Sequence, residues 1–182
     1  MRKNKPWYAK PDMIIALSAL LVSFVATFVG VYSAWMERSY ARASLWPRVE
    51  ISRSANFNRF VYTVENSGTG PAIIQQASVS LNGKYYQTWG QWLADAYKEK
   101  TGYSQSHMGS GVMESGEQMS ALMIKESYGG NRKIIDKLLK KDALDITICY
   151  CSVFEECWMV DRRNLPKEVN ACTIPKAQLF KQ

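Results

Sequence analysis

Residues 59–83 read "RFVYTVENSGTGPAIIQQASVSLNG", and their reading decides the fold. Two apolar runs rich in β-branched and aromatic residues, "RFVYTV" and "AIIQQASVSL", flank a short segment that suits neither helix nor strand. In the second run Ala77, Val79 and Leu81 alternate with Gln76, Ser78 and Ser80, the period of two expected of a half-buried strand. Between the runs stand Asn66, Gly68, Gly70 and Pro71. The two glycines and the proline make a bend that no regular strand tolerates, and Ala72 restarts the sheet. "LNGK" then predicts a hairpin, because Asn-Gly supplies the positive φ that tight hairpin turns need. A phosphate-binding glycine loop is the competing reading. It fails because no helix pattern follows and "GTGP" lacks the Lys-Ser or Lys-Thr of a P-loop.

Working outward, Leu45, Pro47, Val49 and Ile51 alternate with Trp46, Arg48, Glu50 and Ser52, which predicts an earlier strand. Downstream, Trp89, Trp92, Leu93 and Ala96 fall at helical spacing, so a short helix is expected to lay an aromatic face on the sheet. "SQSHMGSGVMESGEQMSALMI" resumes short strands broken by turn residues. A second short helix follows in "GNRKIIDKLLKKDAL", with Ile134, Ile135, Leu138 and Leu139 inward and Arg132, Lys133, Lys137 and Lys140 outward.

The last strong element is "LDITICYCSVFEECWMV", in which Leu144, Ile146, Ile148 and Tyr150 alternate with Asp145, Thr147, Cys149 and Cys151. Both cysteines are therefore expected on the face turned away from the core. A turn near "SVFEE" would set Cys157 across from Cys151 at a cross-strand separation of ~4.5 to 5.5 Å, which suits a disulfide. Cys172 is then free to reach back to Cys149. Cys149, Cys151, Cys157 and Cys172 are thus disulfide candidates, and the sequence does not choose among their pairings. The spacing lacks the C-x-x-C knuckle of a structural zinc site, and no metal is expected.

At the other end of the chain no charge occurs between Asp12 and Glu37. A helix of those residues would be about 36 Å long, enough for a bilayer core of ~30 Å. Leu, Ile, Val and Phe dominate the run, and each favours insertion by roughly 0.3 to 0.6 kcal/mol. Trp7 and Tyr8 on one side, with Tyr32 and Trp35 on the other, supply interfacial aromatics. The run far exceeds the ~7 to 15 apolar residues of a secretory signal, so an uncleaved anchor is expected. Its small residues, Ala16, Ala19, Ser23, Ala26, Gly30 and Ser33, recur in alternating steps of three and four. Such a stripe lets helix backbones approach closely and predicts self-association.

The chain carries 23 Lys and Arg against 16 Asp and Glu, and part of the excess sits in "MRKNKPWYAK". Basic charge beside a membrane span reads as topology or lipid headgroups, so the bilayer is the expected partner and nucleic acid is not. Lys and Arg are nearly balanced on the two sides of the span. A short basic tail at the start favours the inside, and an even number of cysteines favours an oxidising compartment for the domain. His107, the sole histidine, lies in "SQSHMGSG", a turn or strand end, and no metalloprotease or dinucleotide motif occurs. No catalytic residue and no cofactor is expected.

The segment "ENSGTGPA" resembles a pattern, N-x-G-x-G-P-A, of bacterial membrane-anchored proteins with an immunoglobulin-like sandwich domain, carried here by Asn66, Gly68, Gly70, Pro71 and Ala72. The strand that ends at Tyr150, turns and returns through Trp158 is similar to that group, although Glu stands where a turn glycine is common. The resemblance implies a mainly β fold with two short helices, an antiparallel immunoglobulin-like sandwich following one transmembrane helix. The expected layout is a basic tail over 1–12, a span over 13–36, a linker over 37–44, a β domain over 45–165 and a C-terminal tail over 166–182. The architecture also resembles small membrane-spanning effectors of bacterial antiphage signalling. That likeness implies a non-enzymatic inner-membrane effector, in which a nucleotide or partner signal reaches the β domain and self-associating helices perturb the bilayer. The alternative expectation is a periplasmic, membrane-anchored adaptor whose sandwich binds another envelope protein.

Overall fold

The computed structural model describes residues 11–140 and 144–181. The interfacial aromatics Trp7 and Tyr8 and most of the basic tail lie outside the described residues. The chain divides into two compact units, Met1–Ala43 and Ser44–Gln182.

The first unit is built on one helix, α1 (Pro11–Ser44), 34 residues long and without a buried residue. It is long and apolar enough to cross a membrane. Ser18, Ser23 and Thr27 donate their hydroxyls to the carbonyls of Ile15, Ala19 and Ser23. These three hydroxyls are therefore satisfied by the helix itself, which lowers the cost of placing them in hydrocarbon. Residues 37–44, expected as a linker, continue the helix. "ERSYARAS" contains no glycine or proline, and the first residue that forbids helix is Pro47.

The second unit is mainly β. β1 (Val49–Asn56) pairs antiparallel with β2 (Arg59–Asn66), and β2 pairs on its other edge with β6 (Gln118–Lys125). The second sheet runs in the order β4 (Lys84–Tyr86), β3 (Ala72–Leu81), β7 (Leu144–Cys151), β8 (Cys157–Asp161), β9 (Lys167–Val169), all antiparallel. β5 (Gly111–Met113) pairs with the start of β3. The β3–β4 hairpin turns at Asn82 and Gly83 with φ of 50° and 81°, the mirror-image turn expected of Asn-Gly.

Two helices complete the core. α2 (Trp89–Tyr97) starts at Thr88, whose hydroxyl accepts from the Gln91 amide, and α3 (Arg132–Lys140) presents Ile134, Ile135 and Leu138 inward. Both inner sheet faces and both helices share one apolar cluster, which includes Val49, Phe60, Val64, Val79, Ile146, Trp89, Trp92 and Leu138. Within it Phe60, Tyr62, Trp89 and Phe180 form a chain of ring contacts at 4.9, 6.2 and 4.8 Å. Ala96, expected on the inner face of α2, is exposed. Trp89, Trp92 and Leu93 are the buried residues of α2, and Trp92 meets Tyr97 edge to face.

The segment after residue 165, expected as a tail, belongs to the domain. β9 adds a strand, Cys172 is disulfide-bonded, and Phe180 is buried. The Phe180 amide donates to Ala77 O, the Lys181 amide to Gln87 O, and the Ile174 amide to the Gln76 side chain. The β8–β9 loop also reaches the first sheet. The Asn164 carboxamide accepts from the Ile51 amide at 2.8 Å and donates to Ile51 O at 3.1 Å, so it pairs with edge strand β1 as a short strand would.

The turn joining β7 and β8 places Glu155 at φ 64°, a left-handed conformation that costs a side-chain-bearing residue roughly 1 kcal/mol or more. Glu155→Gly is expected to stabilise the domain by about 0.5 kcal/mol once the extra freedom of unfolded glycine is deducted. Thermal unfolding of the full chain in detergent should show a midpoint raised by about 2 °C, and a lowered midpoint would contradict the turn's description.

Candidate functional site

Asn66 ends β2, and its side chain is fully buried. Its carboxamide oxygen accepts from the amides of Arg48 and Gly68, both at 3.1 Å. The nitrogen donates to Gly70 O at 2.8 Å and to the carbonyls of Met113 and Glu114, each at 3.1 Å. One side chain therefore ties together the approach to β1, the glycine turn and the end of β5. The two glycines are required for closeness: a Cβ on Gly68 would overlap the backbone of Trp46 to Arg48, and one on Gly70 the backbone of Leu45. Thr69 and Gly70 both donate to Trp46 O. Trp46 in turn stacks on Trp158 at 5.6 Å, and Trp158 lies opposite Tyr150 in the β7–β8 pair. Residues 45–48, which connect directly to α1, are thus fixed to the domain by backbone bonds and an aromatic stack.

The four cysteines meet on the outer face of β7. Cys149 is bonded to Cys172 and Cys151 to Cys157, with Cα separations of 5.7 and 4.0 Å. The expected alternation holds, since Ile146, Ile148 and Tyr150 enter the core cluster and the cysteines do not. Cys149 and Cys151 are nevertheless buried. The chain around Cys172, bonded to Cys149, lies against a face that the strand pattern alone would leave in solvent.

The remaining polar groups give open clefts. His107 bonds Ser110 at 3.3 Å and lines a cleft of about 440 Å³ with Glu117, Gln118 and Ser120. Asp95 accepts from Lys84 at 2.8 Å and from the Tyr86 hydroxyl at 2.6 Å. The Lys84 and Tyr86 hydrogen bonds hold the Asp95 carboxyl below its ordinary range, while burial and the bond to Asp95 push the Tyr86 phenol up to about 12. The basic face of α3 is exposed as expected, and Lys137 pairs with Glu99 at 3.4 Å. The indole N–H groups of Trp89 and Trp92 are buried and have no hydrogen-bond partner among the described residues.

Ala16, Ala19, Ser23, Ala26, Gly30 and Ser33 all lie within α1. A side chain on Gly30 would meet open space within the monomer. What the sequence reading missed is the reach of Asn66, and its signal was present: a polar residue ending an apolar strand, followed by two glycines. No protein-family model, curated protein or solved structure matches the chain.

Asn66→Asp keeps the size and one acceptor oxygen but turns a second oxygen toward three carbonyls. It is expected to destabilise the domain by about 3 kcal/mol or more, since it breaks the donated bonds and buries a charge. Urea unfolding of the full chain in detergent at neutral pH checks this, and a loss below ~1 kcal/mol would show that the carboxamide does not organise the turn.

Proposed function

We propose that the chain is a membrane-anchored interaction protein, in which α1 spans a bacterial inner membrane and an immunoglobulin-like sandwich stands on the oxidising side. The observation that carries this reading is the pair of disulfides, Cys149 with Cys172 and Cys151 with Cys157. Disulfides persist in exported domains and are rare where cytosolic thiols keep cysteines reduced. The strand order supports the sandwich. β1-β2-β6 on one sheet and β4-β3-β7-β8 on the other match an immunoglobulin domain's A-B-E and C′-C-F-G sets. The basic tail before α1 supports an inside N-terminus, which sends the domain outward.

A binding role without catalysis fits the polar groups. Glu117, the carboxylate in the His107 cleft, is engaged by the Glu114 amide at 2.8 Å. The Ile51 position on edge strand β1 is taken by Asn164, so loops are better docking elements than that edge. At the end of the first sheet opposite Asn66, Phe57 and Tyr128 are about two-thirds exposed, and the Glu126 amide donates to Asn58 O between their turns. These rings suit another envelope protein as partner.

The effector reading takes second place. The small-residue stripe favours helix self-association in either case. A cytosolic nucleotide signal, however, requires the domain inside the cell with its cysteines reduced.

Thiol labelling in cells separates the two. With a membrane-impermeant maleimide, the cysteines should stay unlabelled in intact cells until a reductant is supplied from outside, and should label afterwards without permeabilisation. Labelling that needs permeabilisation but no reductant would overturn the exported topology and restore the cytosolic effector.

A further inference from the structure

We propose that the four cysteines, when reduced, form a thiolate site for one Zn2+ ion, so that the same cluster closes by disulfides or by metal according to redox conditions. The inference holds on either side of the membrane and does not depend on the exported topology.

The sheet brings together ligands that the sequence spacing keeps apart. Cys149 and Cys151 are two residues apart on β7 and share its outer face, and Cys157 stands opposite Cys151 in the β7–β8 register. Cys172 arrives from beyond β9. The sulfurs of Cys151, Cys157 and Cys172 all lie within 4.8 Å of one another, and Cys151 Sγ is 4.0 Å from Cys172 Sγ although the two are not bonded. Cys149 is held against the same group through Cys172. In a tetrahedral four-thiolate zinc site, Zn–S distances of about 2.3 Å set neighbouring sulfurs ~3.8 Å apart. Cys149 lies outside that trio, so the site requires its reduced side chain to turn toward the other three while the strands stay paired. β7 is held between β3 and β8, and β8 between β7 and β9, so three of the four ligands sit on paired strands. Cys172 is only partly buried, which keeps the negative charge of a four-thiolate site near water and leaves a path for the ion.

The chemistry balances with an external dithiol as the reductant, one for each disulfide. Each disulfide accepts two electrons and two protons from a dithiol, which becomes a disulfide. The four thiols then release their protons as zinc takes them as thiolates. Zinc is preferred because sulfur-only tetrahedral donor sets select soft or borderline d10 ions. The absence of a C-x-x-C knuckle argues against zinc only if ligands must be close in sequence. Here the antiparallel pairing supplies the closeness.

The test uses the full chain in detergent micelles, reduced without oxygen by a phosphine, which takes an oxygen from water as it reduces each disulfide. Co2+ serves as the spectroscopic probe. One equivalent should give the intense visible bands and near-ultraviolet charge transfer of tetrahedral thiolate coordination, Zn2+ should displace it, and Zn2+ should raise the melting temperature of the reduced chain. Cys157→Ser should weaken zinc by at least about tenfold, the loss that even an outer-shell change can cause. No tetrahedral spectrum, an undiminished spectrum in Cys157→Ser, or binding that leaves the melting temperature unmoved would overturn the proposal. The last outcome would mean that an unfolded chain captures the metal.

Discussion

One buried carboxamide organises the end of the domain where the chain arrives from α1. Asn66 engages Arg48, Gly68, Gly70, Met113 and Glu114 through their backbones. No apolar residue can do this, because the buried carbonyls of Gly70 and Met113 would each lose this partner at a cost of roughly 1 to 3 kcal/mol. The close approach of the turn to residues 45–48 follows, and that approach in turn forbids any side chain at Gly68 or Gly70. Residue identity, bend and strand start are one mutually dependent unit.

From that unit the rest of the architecture follows. β1 starts in register with β2, Val49 opposite Asn66, so Val49, Ile51, Phe60 and Val64 meet the core. β3 leaves the turn toward the second sheet, and its pairing with β7 carries Cys149 and Cys151 outward. The C-terminal chain then reaches that outer face and is fastened by the Cys149–Cys172 disulfide, by backbone bonds to Ala77 and Gln87 and by the Ile174 amide's bond to the Gln76 side chain, while Cys151–Cys157 closes the β7–β8 turn. The cysteine cross-links matter most where apolar burial is least. The covering segment contributes few core residues, so restricting the unfolded chain is an effective way to keep it in place.

How much was legible depends on the range of the interaction. The period of two in β3, the Asn-Gly hairpin, the apolar stripe of α3 and the apolar run of α1 are local signals, and each became the expected element. Cys157 opposite Cys151 was also local, since a tight turn sets the register. Long-range effects were not legible. "NLPKEVNACTIPKAQLF" has no strand or helix period, so nothing in it announced that it covers β7 and carries buried Phe180. Asn164 reads as a loop residue until its carboxamide is found on Ile51, 113 positions away. In the sequence the glycines of the turn read as devices for bending, whereas in the structure they let two backbones touch. Ala96 follows helical spacing yet is exposed, because spacing along a helix does not say where the packed face of the neighbouring sheet ends.

The proposed export requires that the domain mature as a disulfide-fastened unit outside the cytosol. Proteolytic mapping of the protein isolated from membranes under alkylating, non-reducing conditions tests it most directly. An exported domain should give linked peptides joining Cys149 to Cys172 and Cys151 to Cys157, with all four cysteines protected from alkylation. Four alkylated cysteines in protein taken directly from cells would contradict it.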